Sequence, residues 1–406
     1  MIEVNGKYTN AKIMIDQIEP ECMGQIIQMI NHESFTNPVR IMPDTHSGAG
    51  SVIGFTMPVG NKLVPNVVGV DISCGMLSYN VGKINLNHKE LDEKIREEIP
   101  FGININKKGT VRLDKEYEFL STTIDVPFNY VINSIGTLGG GNHFIEIGRS
   151  QNTEDIWITV HSGSRHLGKK VCEYWQKIAS RIKIYGFGDQ SEGVKKIKDS
   201  YPKSEWEIRI KEFHNNFKKI KNHPLDFLEN KAKDRYLEDM KLCQAYAELN
   251  RNTIMKNILS ILGTTTVHDV IETVHNYIDF KDNIIRKGAI RSYIGERMII
   301  PFNMRDGILI CEGKSNPDWN FSAPHGAGRV YSRSKAKSEL SIKKFENDMN
   351  GIFSTSVCRN TLDESPDAYK DSKVIEKAIE PTAKILDRII PIHNMKDVND
   401  EKPWKR

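Results

Sequence analysis

VRIMPDTHSGAGSVIGFTMPVGNKLVPNVVGVDISCGMLSYNVG, residues 39–82, decides how the rest of the chain is read. Short apolar runs are broken every few residues by Gly, Pro or Asp, a pattern of short strands joined by tight loops. The polar residues of interest fall in those loops, where a rigid scaffold presents functional groups. The same reading extends over residues 1–80.

Working outward, the stretch from about 86 to 98, with NHKELDEKIREEI beginning at Asn87, has helical spacing, and a second strand-and-loop region follows it to Asn142 and His143. FIEIG (144–148) and DIWITVHSGSR (155–165) read as two more strands. Between about 168 and 260 the composition shifts to Lys, Glu, Leu and Ile with few glycines, which predicts a helical insertion. Strands and loops return after 265, and KVIEKAIEPTAKILDRI (373–389) predicts a last helix. The fold expected is therefore α+β: a single catalytic domain over 1–406, with mixed β-sheets, flanking helices and the 168–260 insertion packed at one side. No internal repeat or low-complexity linker interrupts it.

Bulk properties narrow the class. A chain of 406 residues at 38% hydrophobic composition buries a core without disulfides or metal staples. The formal charge of +4 neither requires nor excludes a polyanionic partner, so its distribution matters more. Residues 168–235 hold 17 Lys or Arg against 10 Asp or Glu, interleaved with Tyr174, Trp175, Tyr201, Trp206, Phe213 and Phe217. Such a segment suits a solvated helical face or a surface for single-stranded nucleic acid. Six widely spaced cysteines with no CxxC pair predict lone thiols in a reducing compartment. With no signal-peptide pattern at the start and no long apolar run, a cytoplasmic protein without a membrane span is expected.

The chemistry concentrates in a few loops. In Gly69-Val70-Asp71-Ile72-Ser73-Cys74-Gly75 a carboxylate and a thiol sit three residues apart in a Gly-flanked turn. A thiolate can bridge two divalent ions and the carboxylate adds a hard oxygen, although a turn-forming Asp beside a buried Cys explains the same residues. Four histidines at strand or loop junctions can complete a ligand set: His143, His161, His275 and His325. Glycines before Asn142-His143 and after His325 leave backbone N–H groups open to phosphate. No GxxxxGK[ST] motif occurs, so a nucleotide site here needs metals and basic side chains, for which Arg165, Arg329 and Lys396 are available.

Taken in order, PDTHSGAG, GVDISCG, GGGNHFIE, HSGSRHLG, VHNY, RKGA, SAPHGAGR and Lys396 resemble the RtcB family of GTP-dependent RNA ligases, over about residues 40–396. The resemblance implies that Asp71, Cys74 and His143 bind one Mn²⁺, that Cys74, His161 and His275 bind a second, and that Cys74 bridges them. It implies that His325 attacks the α-phosphate of GTP to form a GMP-histidine. It assigns Asn142, Glu146, Asn276, Pro301, Asn303, Met304, Gly326, Ala327, Gly328, Arg329 and Lys396 to the guanylate, with Glu146 as an anion at the guanine edge, and Arg165 to RNA phosphate. The implied reaction joins a 3′-phosphate or 2′,3′-cyclic phosphate RNA end to a 5′-hydroxyl end, in RNA repair or tRNA splicing, and an archease-like activator is a partner the family allows.

Where family members often read Pro-Gly-Ser-Met, this chain has Pro301-Phe302-Asn303-Met304 followed by Arg305-Asp306-Gly307-Ile308. Asp44 and His46 in PDTHSGAG suit either a stabilised turn or a role at the RNA end. Alternative activities are GMP capping of 3′-phosphorylated ends or hydrolysis of a cyclic phosphodiester without joining. A binding module with structural metals is a third reading.

Overall fold

The computed structural model describes residues 1–399 apart from Ala49 and Thr110; residues 400–406 of the expected domain lie outside the described residues. Two strands, β1 (Ile2–Asn5) and β2 (Asn10–Ile13), form a hairpin, and β2 pairs in parallel with β3 (Val39–His46). Between them runs α1 (Pro20–Ile30), a helix in a region read only as strands. Its signal is present: Pro20 occupies the first turn, and Cys22, Ile26, Met29 and Ile30 recur on one buried face. The quoted run continues as β4 (Ile53–Pro58), a short α2 (Pro65–Val68) and β5 (Gly75–Gly82).

The helix expected near 86–98 is α3 (His88–Glu98), capped by the Asn87 side chain on the Glu90 amide. The strand-and-loop reading of the next segment is overturned: it contains α4 (Lys115–Thr123) and α5 (Phe128–Asn133). Tyr117, Leu120 and Ser121 lie on one buried face of α4, and the Tyr117 hydroxyl donates to the Leu242 carbonyl, so tertiary packing selects the helix.

The FIEIG and DIWITVHSGSR segments form β6 (Phe144–Ser150) and β7 (Ile156–Ser162). The 168–260 stretch is helical, comprising α6 (Arg165–Tyr185), α7 (Gln190–Ser200), α8 (Trp206–Lys218) and α9 (Asn230–Leu262). Its two long helices face the core: Leu167, Val171 and Trp175 of α6 and Tyr236, Met240 and Tyr246 of α9 join the largest apolar cluster. Helices α7 and α8 pack on each other and on the aromatic group Tyr185, Phe187, Phe213 and Phe217. No described helix is long and apolar enough to cross a membrane.

Strands β8 (Asp269–Val274), β9 (Tyr277–Asp279), β10 (Ile284–Lys287), β11 (Ala289–Arg291), β12 (Arg297–Pro301), β13 (Ile308–Gly313) and β14 (Ser322–Pro324) follow. After α10 (Arg333–Glu339), α11 (Ile342–Asp348) and α12 (Ser372–Ala378), the last described element is β15 (Ala383–Met395). The expected helix over 373–389 is thus half helix and half strand. Pro381 interrupts the helical period, and β15 then pairs with β13 on one side and β6 on the other, which outweighs local propensity.

The strands build a six-stranded sheet in the order β1-β2-β3-β4-β10-β9, a seven-stranded sheet β12-β13-β15-β6-β7-β5-β8, and the pair β11-β14. In the larger sheet the edge strands approach each other, the Ile299 amide donating to Thr273 Oγ1 at 3.0 Å, so the sheet curls toward closure. The fold is α+β, as expected.

Register explains where function is placed. Neighbours β6, β7, β5 and β8 are antiparallel, with Phe144 opposite His161, Gly75 opposite Ser162, and Gly75 opposite Val274. The residue before β6, the next-to-last residue of β7, the residue before β5 and the residue after β8 therefore meet at one end of the sheet. Those positions are His143, His161, Cys74 and His275.

Candidate metal and nucleotide site

At that sheet end the Cys74 thiol lies 3.2 Å from His161 Nε2 and 3.4 Å from His143 Nε2. His143 Nε2 is 3.0 Å from Asp71 Oδ2, and the Nε2 atoms of His161 and His275 are 3.4 Å apart. The structure thus brings together all five residues expected to hold metal, in two sets that share Cys74: Asp71 with Cys74 and His143, and Cys74 with His161 and His275.

The donor set fits divalent metal. His143 donates its Nδ1–H to the Leu138 carbonyl and His161 its Nδ1–H to the Asn142 carbonyl, so both turn Nε2 inward, where a metal can take the place of a proton. Nitrogen, oxygen and sulfur ligand atoms then face one another at near-contact distance, an arrangement that a cation between them stabilises. Burial, reinforced by neighbouring imidazoles, pushes His161 and His275 well below the usual histidine range, keeping them neutral. Burial and then Asp71 push the Cys74 thiol well above its ordinary value. Burial acts to raise Asp71 as well, but the His143 hydrogen bond and charge outweigh it and hold that carboxyl low.

The loops are tightly fitted. A Cβ on Gly163 would come within 2.3 Å of Asp71 Oδ1, so only glycine lets the 162–164 turn approach that carboxylate. Behind the loops, α9 contributes two buried residues the sequence reading passed over. Arg251 donates from Nη1 to the carbonyls of Ser73 and Ser162, beside Cys74 and His161, and pairs with Glu272 at 2.8 Å. Asn250 bridges Gly136, Thr137, Ser162 and Gly163. Their clue is a polar Asn-Arg pair on the buried side of a long amphipathic helix.

A cavity of about 430 Å³ opens beside this centre. It is lined by every residue expected at the guanylate: Asn142, Glu146, Asn276, Pro301, Asn303, Met304, Gly326, Ala327, Gly328, Arg329 and Lys396, together with His325. Phe302, in the loop expected to touch the nucleotide, lines it too, as do Arg333, Glu364, Tyr369 and Asn394, to which the sequence reading assigned no contact.

His325 follows β14, and its ring centroid lies 4.7 Å from that of His275. The buried Asp44 carboxylate of β3 accepts from both the backbone N–H of His325, at 3.1 Å, and its Nδ1–H, at 2.7 Å. Its partner His46 lines the cavity, with Nδ1 on the Asp44 carbonyl, and burial pushes that imidazole down to about 4. Gly328 has φ of 75°, and a Cβ there would stand 2.1 Å from the Asp44 carbonyl oxygen, which explains the glycine after Ala327.

Glu146 and Asn394 are cross-strand partners in β6 and β15, and Asn394 Nδ2 donates to Glu146 Oε2 at 2.8 Å. Oε1 is buried without a hydrogen-bond partner among the described residues. Burial pushes this carboxyl up to about 8, against the opposing pull of Asn394 and Lys396, so the side chain expected as a resident anion is largely protonated at neutral pH.

Other assignments look different in three dimensions. The Asn276 amide links loops, accepting from the Gly288 N–H and donating to the Asp71 carbonyl. The Asn303 side chain closes its own turn on Arg305, Asp306 and their amides, within the β12–β13 hairpin. Arg165 does not line the cavity; its Nε donates to Thr137 Oγ1 and Nη2 to the Gly102 carbonyl.

The family model described as tRNA-splicing ligase RtcB matches residues 25–128 and 126–397. The chain is 28% identical to the RNA-splicing ligase RtcB of Escherichia coli strain K12, over 91% of this chain and 92% of that protein. It is 24% identical to RNA-splicing ligase RtcB2 of E. coli strain ATCC 25922, over 89% and 88%. It is 23% identical to the tRNA-splicing ligase RtcB of Aeropyrum pernix, over 82% of each.

Proposed function

The chain belongs to the RtcB family of RNA ligases, and from that membership we propose that it joins RNA carrying a 3′-phosphate or 2′,3′-cyclic phosphate to RNA carrying a 5′-hydroxyl, through a GMP-histidine at His325. The observation that carries this reading is the Asp44–His325 pair. With Nδ1–H held by Asp44, Nε2 is left as the nucleophilic lone pair, on a ring packed against a metal-capable histidine and opening into the cavity.

In this reading His325 Nε2 attacks the α-phosphorus of GTP, forming the N–P bond as the bond to pyrophosphate breaks. Where the RNA end is a 2′,3′-cyclic phosphate, water first adds to its phosphorus and breaks the bond to the 2′-oxygen, leaving a 3′-phosphate and a 2′-hydroxyl. An oxygen of the RNA 3′-phosphate then attacks the His325-bound phosphorus and releases His325. The 5′-hydroxyl oxygen next attacks the activated 3′-phosphate, GMP leaves, and the phosphate stays in the junction. Asp44 holds the imidazole tautomer throughout and stabilises positive charge on the ring. Glu146, with its unpartnered Oε1, receives the guanine N–H donors, and Arg329 and Lys396 face the phosphates.

Asp71, Cys74, His143, His161 and His275 would hold two Mn²⁺ ions, which supply charge neutralisation and orientation of phosphoryl oxygens. Arg165 is assigned to an RNA phosphate beside this centre, the Thr137 and Gly102 bonds fixing its guanidinium plane. The enzyme acts in RNA repair or tRNA splicing in the cytoplasm, where free cysteines stay reduced.

The test is incubation with Mn²⁺ and GTP labelled at the α-phosphate, followed by denaturing electrophoresis of wild type and His325→Ala. Acid-labile label on the wild type alone supports the reading, and label on neither protein with metal bound removes it. Adding RNA separates joining, which shifts a product by a whole strand, from capping or cyclic-phosphate opening, which do not.

A further inference from the structure

One buried carboxylate ties together the cationic wall of the cavity. Glu364 ends the 3-10 turn Arg359–Glu364 and is only 3% exposed. Its Oε1 accepts from Arg333 Nη1 at 2.6 Å and Arg329 Nη1 at 3.2 Å. Its Oε2 accepts from Lys396 Nζ at 2.8 Å and the Tyr369 hydroxyl at 2.7 Å. All five side chains line the cavity.

The four donors come from three stretches of the chain. Arg329 lies in the loop after β14, Arg333 opens α10, Tyr369 precedes α12 and Lys396 follows β15. Three cations converging on a buried space repel one another unless an anion stands between them. Burial alone would raise the Glu364 carboxyl, but Lys396, Arg333 and Arg329 reverse that and hold it far below the usual carboxylate range. Asp363, next in the chain, anchors Arg333 at 2.7 Å and lies 3.7 Å from Lys337, so it steadies the rim while Glu364 serves the interior.

We propose that Glu364 is the positioning residue of this wall: its carboxylate sets Lys396, Arg329 and Arg333 in one arrangement toward the cavity, and by offsetting one of their three charges it keeps phosphate binding weaker than the bare cations would give. The functional consequence rests on the ligase reading; the phosphate-binding consequence does not. Glu364 thereby trades affinity for alignment, the useful direction for a site that must release pyrophosphate and GMP.

Two substitutions separate charge from reach. Glu364→Gln keeps the length and removes the charge, whereas Glu364→Asp keeps the charge and withdraws it by one methylene. Binding of inorganic pyrophosphate is measured by calorimetry, with guanylylation of His325 at saturating GTP and unfolding temperature measured alongside. Glu364→Gln is expected to bind pyrophosphate about tenfold tighter and to guanylylate about 10²-fold slower. Glu364→Asp is expected to retain pyrophosphate affinity near wild type and to slow guanylylation similarly.

Weaker pyrophosphate binding in both variants together with lower unfolding temperatures would mean a packing role and overturn the proposal, as would unchanged rates in both. If Glu364→Gln does not fold, Glu364→Asp decides alone, since slow guanylylation with intact pyrophosphate affinity supports positioning and weaker affinity overturns it. A wild type that takes no guanylate label removes the ligase reading, while the pyrophosphate comparison still decides the role of Glu364.

Discussion

Asp44 Oδ2 accepts two hydrogen bonds from His325, one from the imidazole Nδ1–H at 2.7 Å and one from the backbone N–H at 3.1 Å, across 281 residues of sequence. The carboxylate therefore fixes the ring and the loop that carries it at once. Asp44→Ala should reduce guanylylation by about 10²-fold or more, because the wrong tautomer or rotamer takes the lone pair away from the cavity. Bound metal should not change, since Asp44 belongs to neither ligand set. Label uptake and metal analysis check this, and a variant that labels at the wild-type rate rules out the orienting role.

The Glu146 carboxyl, pushed up to about 8, makes nucleotide binding pH-dependent. The anion is the form that accepts guanine N–H donors, and it is the minor form below 8. Binding must therefore release a proton, so affinity for GMP rises from mildly acidic pH to about 8 and levels off above it. Glu146→Gln should flatten the profile. Calorimetry in buffers of differing ionisation enthalpy measures the proton directly; no released proton at neutral pH would contradict the prediction.

Cys74 is shared by both metal-capable sets, so Cys74→Ala should lose far more bound metal than His325→Ala. The thiol pKa is raised by burial and by Asp71, and metal must displace that proton, so affinity should climb with pH through the neutral range. Cobalt(II) titration reads this through the thiolate charge-transfer band. A band of full strength in Cys74→Ala would assign the sulfur elsewhere.

Arg251, 1% exposed, holds the carbonyls that precede Cys74 and follow His161. Arg251→Met leaves two buried carbonyls without their donor and should cost about 2–3 kcal/mol of stability. It should also loosen metal binding, because the ligand-bearing turns lose their common anchor. Denaturant unfolding with and without Mn²⁺ measures both; a change within about 0.5 kcal/mol would place Arg251 among neutral surface substitutions.

Local pattern carried some elements and misled on others. Alternation and turn residues around 144–162 correctly indicate β6 and β7, because strand period and loop chemistry are properties of neighbouring residues. Residues 383–389, expected as the end of a helix, instead open β15 because two partner strands flank them on either side. The buried face of α4 became visible only once α9 lay against it.

What the sequence determined by itself was the inventory of reactive groups and the loops that bear them. Asp71 and Cys74 in one turn, His143 and His161 at strand ends, and His325 among glycines are legible because each motif pairs a ligand or nucleophile with the small residues its loop requires. The tertiary structure alone decided the electrostatic state of those groups. A carboxyl at Glu146 is raised while one at Glu364 is depressed, though both are buried to the same 3% exposure. The difference lies in which cations distant segments bring within hydrogen-bond reach: three for Glu364, none for Glu146 Oε1 among the described residues. Coulomb energy in a buried site depends on separation in space, and separation along the chain does not reveal it.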